Sequence, residues 1–149
     1  MKIKVILCRG IQGSGKTTWA KKYCNDHPNT IRLNRDDIRE MLSFKTWSYK
    51  IENTIKRVEY TMMVSFLRLN INVVIDDVSN LSMKTRTLIN SYLKLLDNSK
   101  DLEVVTQDFF IPLQDCIMRD SLRKKPIGEK IIKETYQKYK TIIENKRNE

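Results

Sequence analysis

The chain has 149 residues, which fits one domain, and its hydrophobic (40%) and charged (31%) fractions are ordinary for a globular protein. No apolar run reaches the roughly 18 residues that a membrane-spanning helix needs, and the first residues lead into a short strand pattern and not a signal peptide. We therefore expect a soluble, cytoplasmic protein with no membrane partner. The three cysteines are far apart, which indicates neither a disulfide framework nor a zinc site.

The net charge of +10 is concentrated at the two ends of the chain. Residues 1–26 carry six Lys/Arg against one acid and residues 119–149 carry ten against five, whereas residues 61–118 carry five against seven. This distribution favours a polyanionic partner such as nucleic acid. A solvated basic surface would give the same pattern, so the charge by itself leaves both interpretations open.

Strand and helix patterns alternate along the chain. Short apolar runs predict buried strands at residues 4–8, 30–33, 72–77 and 101–108. Helical patterns cover residues 16–25, a segment from about 35, and then 48–69, 82–96, 113–122 and the segment from about 128. On the longest helix the predicted buried stripe is Ile51, Ile55, Val58, Met62 and Phe66. The alternation predicts an α/β fold of three layers with a mainly parallel sheet of four to five strands.

Residues 10–17 read Gly-Ile-Gln-Gly-Ser-Gly-Lys-Thr and directly follow the first predicted strand. The glycines let the backbone wrap a phosphate, and the next helix points its positive end at the anion. Lys16 would supply a charge to the β- and γ-phosphates, and the Thr17 hydroxyl would ligate Mg²⁺. The expected ATP-binding residues here are Gly13, Ser14, Gly15, Lys16, Thr17 and Thr18. The motif predicts an ATP- and Mg²⁺-dependent phosphotransferase.

A second polar motif follows the second predicted strand, where residues 34–39 read Asn-Arg-Asp-Asp-Ile-Arg. An open α/β sheet binds ligands at the carboxyl ends of its strands. A carboxylate at this edge, such as Asp36, can accept the proton of an attacking hydroxyl, and Arg39 can bind a phosphate next to that hydroxyl. Alternatively, Asp36 and Asp37 only complement the dipole of the helix that starts here.

Besides the phosphate-binding loop, three further segments resemble those of a known family, and the resemblance covers roughly residues 3–140. They are residues 34–39, residues 75–81 (Ile-Asp-Asp-Val-Ser-Asn-Leu) and residues 119–127. With the loop, they resemble the kinase domain of phage-type 5′-hydroxyl polynucleotide kinases. The resemblance implies a P-loop kinase fold over residues 1–149 with a small helical lid at about 119–128, and we expect the tail at about 145–149 to fray.

The resemblance also implies roles for individual residues. Asp36 would be the general base that activates the 5′-hydroxyl of a DNA or RNA end, and Arg39 would bind the 3′-phosphate beside it. Lys16, Arg119 and Arg123 would neutralise the transferred phosphoryl group, and both lid arginines would contact ATP. Because the two arginines are four residues apart, we expect them to share one face of a helix.

Either Asp76 or Asp77 could be the acid that organises the site. The resemblance implies that Asp77 organises the site near the metal or a lid arginine. One extra residue stands between Asp77 and Asn80 compared with that family, so Asp76 is a rival for the same role.

Other features widen the range of interpretations. The Asp-x-Asp-Gly-Thr motif of the phosphatase domain that accompanies the best-known members is absent from the sequence, so we expect a kinase that serves a separate ligase or phosphatase. Any of Phe44, Trp47, Tyr49 and Tyr60 could stack on a nucleobase, although such residues more often belong to the core. Glu59 could orient the acceptor. The alternatives are a P-loop kinase of a small metabolite (nucleotide, nucleoside, sugar or antibiotic) and a non-catalytic nucleotide-binding protein.

Overall fold

A computed structural model describes residues 2–43 and 47–147, and a parallel sheet lies at its centre. The sheet in this part of the chain has four strands in the order β2-β3-β1-β4. The strands are β1 (Ile3–Arg9), β2 (Thr30–Leu33), β3 (Asn72–Ile75) and β4 (Leu102–Asp108). The predicted α/β class, with a mainly parallel sheet of four to five strands, is confirmed.

Helices connect the strands, as parallel pairing requires. They are α1 (Lys16–Asp26), α2 (Arg35–Met41), α3 (Tyr49–Arg68), α4 (Met83–Leu93), α5 (Leu113–Ser121) and α6 (Glu129–Arg147), with a 3₁₀ turn at Val78–Leu81. Helix α6 continues to Arg147, so the tail expected to fray is helical up to that residue, and residues 148–149 lie outside the described chain. None of the described helices is long and apolar enough to cross a membrane.

The pleat of β1 divides the core into two layers, because successive side chains point to opposite faces. Val5 and Leu7 lie in a cluster with buried residues of α3 and α4, whereas Ile6 and Cys8 lie in a cluster with Ala20 of α1. The sheet is therefore covered by helices on both faces. This explains why its strands are apolar runs and not alternating patterns.

The buried stripe of α3 differs from the predicted one. The fully buried positions are Ile55, Glu59, Tyr60, Met63, Val64 and Leu67, whereas Val58, Met62 and Phe66 are only partly buried. The stripe is rotated by about one residue from the predicted one, and it includes a carboxylate, Glu59, which an apolar pattern does not contain.

A third apolar cluster lies at the carboxyl edge of the sheet. It joins Ile11 from the loop after β1 and Leu81 from the 3₁₀ turn to Cys116 of α5 and to Ile132 and Ile143 of α6. Helices α5 and α6 are thus packed against the edge at which the polar motifs occur, and this packing positions the segment between them.

Candidate active site

The polar motifs meet at one edge because all four strands are parallel. The loop after β1, the start of α2 after β2, Asp76 and Asp77 after β3, and residues 109–112 after β4 all follow the carboxyl end of a strand. Two cavities open at this edge. We call them the central cleft, of about 760 Å³, and the outer cavity, of about 730 Å³.

The loop after β1 has the backbone that an anion cradle needs. Gly13 and Gly15 have φ angles of 78° and 98°, which L-residues rarely adopt. A Cβ at Gly13 would also lie 2.3 Å from the carbonyl oxygen of Cys116, so the loop touches the backbone of α5. Gly15 is the N-cap of α1 and offers no capping side chain, and the first turn of α1 holds no acid. These features fit a phosphate at the N-terminus of the helix.

Lys16 is a buried cation in this loop. Its Nζ donates a hydrogen bond to the carbonyl oxygen of Ile11 at 2.8 Å. Burial lowers the pKa of the Lys16 ammonium to about 8, and the nearby carboxylate of Asp76 partly opposes this shift. A desolvated ammonium of this kind is stabilised by an added anion, so its position suits the β- and γ-phosphates of a nucleotide.

The predicted site residues divide between the two cavities. The outer cavity is lined by Gly13, Ser14, Gly15, Thr18, Arg119 and Arg123. The central cleft is lined by Lys16, Thr17, Asp36, Arg39, Asp77 and Arg123. Arg123 lines both, so the two cavities meet at this side chain. All of these predicted residues therefore line one of two adjoining cavities.

The lid arginines do not share a helical face. Arg119 lies in the last turn of α5, but the helix ends at Ser121, so Arg123 stands in the loop beyond it. A Cβ at Gly15 would lie 3.4 Å from Nη1 of Arg119, which places that guanidinium directly over the phosphate loop. The expectation of one helical face was wrong because α5 ends two residues before Arg123, yet both arginines still line the outer cavity.

A buried carboxylate holds the loop that carries Arg123. Asp120 accepts hydrogen bonds from the backbone amides of Ile127 at 3.1 Å and Gly128 at 2.9 Å. One of its oxygens also lies 3.8 Å from the Arg123 guanidinium. The loop is thus closed on itself just before α6 begins, and it places Arg123 between the two cavities.

Replacement of Asp120 by alanine should lower the free energy of unfolding by about 1–3 kcal/mol, because two partly buried amides lose their acceptor. The same change should reduce kcat, since Arg123 loses its support. Urea denaturation and steady-state kinetics would measure the two effects. Asp120→Asn keeps one acceptor oxygen. Its free energy of unfolding and its kcat should therefore lie between those of the native protein and of Asp120→Ala. Unchanged stability in the alanine variant would contradict this role.

Asp36 and Arg39 lie side by side on one wall of the central cleft. Asp36 is 83% exposed at its side chain and forms an ion pair with Arg39 one turn later in α2. Arg39 also binds Glu52 of α3 through two nitrogens, with Nε to Oε2 at 3.0 Å. The guanidinium of Arg39 is therefore held between a carboxylate of its own helix and one of the next helix.

Asp76 and Asp77 have separate partners, which distinguishes their roles. Asp76 accepts hydrogen bonds from Arg32 at 2.9 Å and from Asn34 at 2.8 Å, and its charge acts on Lys16. Asp77 accepts a hydrogen bond from the backbone amide of Arg35 at 2.9 Å. Asp76 is thus the acid beside the phosphate loop, whereas Asp77 anchors the start of α2.

Asp77 also belongs to a buried acid pair with Glu59, which is 0% exposed. Glu59 Oε1 and Asp77 Oδ2 are buried without a nitrogen or hydroxyl donor. Burial and the hydrogen bond to Asp77 raise the pKa of Glu59 to about 10, and burial raises the pKa of Asp77 as well. The pair therefore shares one proton, and Arg35, whose Nε lies 3.0 Å from Glu59 Oε2, balances the remaining charge.

Comparison with known proteins identifies the family. The model of the AAA_33 family, described as an AAA domain, matches residues 5–142. The chain belongs to this family. Its fold is accordingly that of a P-loop kinase, in agreement with its structural neighbours.

Similar proteins and structures carry different names. L-seryl-tRNA(Sec) kinase of Methanococcus maripaludis is 28% identical over 141 residues, which cover 92% of this chain and 52% of that protein. A chain of the Pnkp1/Rnl/Hen1 RNA repair complex superposes with a TM-score of 0.79 at 22% identity, over 96% of this chain and 46% of that one. A gluconokinase from Sinorhizobium meliloti 1021 has a TM-score of 0.57 at 11% identity, over 91% and 73%. The chain thus spans about half the length of the first two.

Sequence reasoning on this AAA_33 chain missed several supporting residues. Arg35 and Asp120 drew no separate prediction, and Glu59 was considered only for orienting the acceptor, not as a buried partner of Asp77. Glu59 lies four residues after Ile55 and four before Met63, so an acid centred on an apolar stripe was the available signal. No sequence pattern indicates the role of Asp120, because its hydrogen-bond partners are backbone amides.

The aromatic residues near the cleft have different environments. Tyr60 is buried in the core against Tyr92, and its hydroxyl contacts Arg35. Phe44 lies outside the described residues. Trp47 lines the central cleft and the Tyr49 ring packs against Trp47, so within the described part of the chain these two of the four aromatics are candidates for contact with a substrate.

Mg²⁺ is commonly held by one or two protein oxygens together with substrate phosphates. Thr17 and the buried Asp76 line the same cleft, which is a donor set of this type. In the described residues no group of three or more His, Cys, Asp or Glu side chains could hold a metal by itself. The residues present thus fit a metal that enters with a nucleotide, and that metal would neutralise phosphate charge.

Proposed function

We propose that this protein transfers the γ-phosphate of ATP to the 5′-hydroxyl end of RNA or DNA. The observation that carries the proposal is the central cleft itself. The buried ammonium of Lys16 lies on its phosphate-loop wall, and Asp36 and Arg39 lie together on the α2 wall. A nucleotide donor and an alcohol acceptor can therefore meet between a cation and a carboxylate base.

The donor side is assigned to the phosphate loop. Backbone amides at the start of α1, together with Lys16, would bind the β- and γ-phosphates, and Thr17 would hold Mg²⁺. Arg119 above the loop and Arg123 between the cavities would neutralise charge that develops on the transferred phosphoryl group.

The acceptor side is assigned to α2. Asp36 would take the proton of the attacking hydroxyl, and Arg39 would bind a phosphate next to that hydroxyl. In a polynucleotide the 5′-hydroxyl and the 3′-phosphate belong to the same terminal nucleotide, so one residue pair could engage both. The basic ends of the chain and the RNA named in two of the compared proteins support a nucleic acid acceptor.

Incubation with γ-labelled ATP and Mg²⁺ tests the proposal. The acceptors are 5′-hydroxyl RNA and DNA oligonucleotides, seryl-tRNA, nucleosides, 3′-nucleotides and gluconate. Label at oligonucleotide 5′ ends is the expected result. Label confined to small molecules would favour the metabolite kinase to which the gluconokinase likeness also points, and ATP binding without transfer would favour a non-catalytic protein.

The variant Arg39→Gln should raise the KM of acceptors that carry a 3′-phosphate by about 10- to 100-fold, the loss typical of one charge-assisted contact. Nucleosides without that phosphate should be affected much less. The comparison of nucleoside and nucleoside 3′-monophosphate kinetics measures this difference. An equal loss for both acceptors would exclude Arg39 from phosphate binding.

A further inference from the structure

Two exposed aromatic side chains stand at the rim of the central cleft. Trp47 is 62% exposed and Tyr49 is 78% exposed. Their rings contact each other edge to face, with centroids 4.8 Å apart and planes at 65°. By contrast, the other tryptophan, Trp19, packs against Tyr23 and Phe109. Paired aromatic rings that leave most of their surface to solvent form a ready contact for another planar group.

A chain of contacts connects this aromatic pair to Asp36. Asp36 binds Arg39, and Arg39 binds Glu52 in the first turn of α3. Tyr49 is the first residue of that helix, and Trp47 directly precedes its N-cap, Ser48, which accepts a hydrogen bond from the amide of Ile51 at 3.1 Å. The aromatic pair therefore lies at the helix start whose first turn carries Glu52, the partner of Arg39, and Trp47 lines the same cleft as Asp36 and Arg39.

We propose that Trp47 and Tyr49 form a stacking platform for a nucleobase of the acceptor strand, one nucleotide beyond its 5′ end. This inference rests on the proposed function. If the 5′-hydroxyl lies at Asp36 and the 3′-phosphate of the first nucleotide lies at Arg39, the strand beyond Arg39 continues with the second nucleotide. Stacking on aromatic side chains suits this position because every base has a planar face.

The platform gives the enzyme a preference for chain length and little preference for sequence. A nucleoside 3′-monophosphate reaches Asp36 and Arg39 but not the aromatic pair. A dinucleotide reaches all of these residues. Stacking also depends only weakly on which base is present, so dinucleotides that differ in the second base should have similar KM values.

The first test compares Trp47→Ala with the conservative variant Trp47→Phe. The alanine variant should raise the KM of a 5′-hydroxyl dinucleotide by about 5- to 100-fold, the range found for loss of one stacked base. The KM values of ATP and of nucleoside 3′-monophosphates should remain unchanged, and Trp47→Phe should recover most of the loss. An unchanged dinucleotide KM, or an equal rise for the mononucleotide, would overturn the platform.

A second test needs no turnover. The chain has two tryptophans, so Trp19→Phe leaves Trp47 as the sole indole. Addition of a 5′-hydroxyl oligonucleotide should quench its emission, whereas a nucleoside 3′-monophosphate should not. Absence of quenching at oligonucleotide concentrations that saturate binding, measured by anisotropy of a labelled strand, would overturn the platform. If oligonucleotides quench Trp47 but are never phosphorylated, the platform stands and the proposed kinase activity fails.

Discussion

Replacement of Asp36 by alanine should lower the kcat of phosphoryl transfer by about 10²- to 10⁴-fold, the range usual for loss of a general base. Asp36 lines the central cleft and is largely exposed to it, so its removal leaves the phosphate loop intact. The dissociation constant of ATP should therefore stay within about twofold. Single-turnover kinetics and isothermal titration with ATP would measure the two quantities separately.

The neighbouring acid supplies a matched control. Asp37 lies in the same helical turn, but its carboxylate binds Arg32 and does not line the cleft. Asp37→Ala should change kcat only a few-fold. Asp36→Asn, which keeps the size of the side chain and loses its basicity, should resemble Asp36→Ala. A kcat near that of the native protein in Asp36→Asn would show that the base is another group.

The second large effect concerns the stability of the protein as a function of pH. The pair formed by Glu59 and Asp77 retains one proton in the folded state, because burial raises the pKa of Glu59 to about 10. In the unfolded chain both carboxyls lose their protons above about pH 4.5. The folded state then binds one more proton than the unfolded state, so the free energy of unfolding should fall as pH rises, by about 1.4 kcal/mol per pH unit.

The charged and titratable groups around the pair define where this effect can be measured. Arg35 and the hydroxyl of Tyr60 face Glu59, and Asp76 faces Asp77. The pKa of Lys16 is lowered to about 8, so above that pH its titration makes the free energy of unfolding rise with pH, opposite to the effect of the acid pair. Between pH 5.5 and 7.5 the acid pair therefore dominates, and the expected loss in the free energy of unfolding is on the order of 2–3 kcal/mol.

Glu59→Gln isolates this contribution, because an amide keeps the shape and a hydrogen-bond donor but cannot titrate. Urea denaturation at several pH values should show a flatter profile for this variant than for the native protein. Glu134→Gln, at an exposed position of α6, should keep the native slope. Identical slopes in the native protein and Glu59→Gln would mean that Glu59 ionises normally in the folded state.

The sequence by itself determined the fold class and which motifs lie at the carboxyl edge of the sheet. Apolar runs at residues 4–8, 30–33 and 101–108 predicted strands within one residue of their observed bounds, because strands covered on both faces leave an unmistakable apolar pattern. Parallel pairing then required the loop at 10–17 and the motif at 34–39 to meet at one edge. Local motifs with fixed backbone requirements, such as Gly13 at positive φ, are readable from sequence for the same reason.

Only the tertiary structure decided which side chains support that edge. The proton shared by Glu59 and Asp77, the partners of Asp76 and the amides held by Asp120 all join residues distant in sequence or groups of the backbone. Burial and hydrogen bonding at such sites depend on packing, which a linear pattern does not contain. The same holds for Arg123, which lies in the loop after α5 and lines both cavities, and does not share a helical face with Arg119, because α5 ends at Ser121.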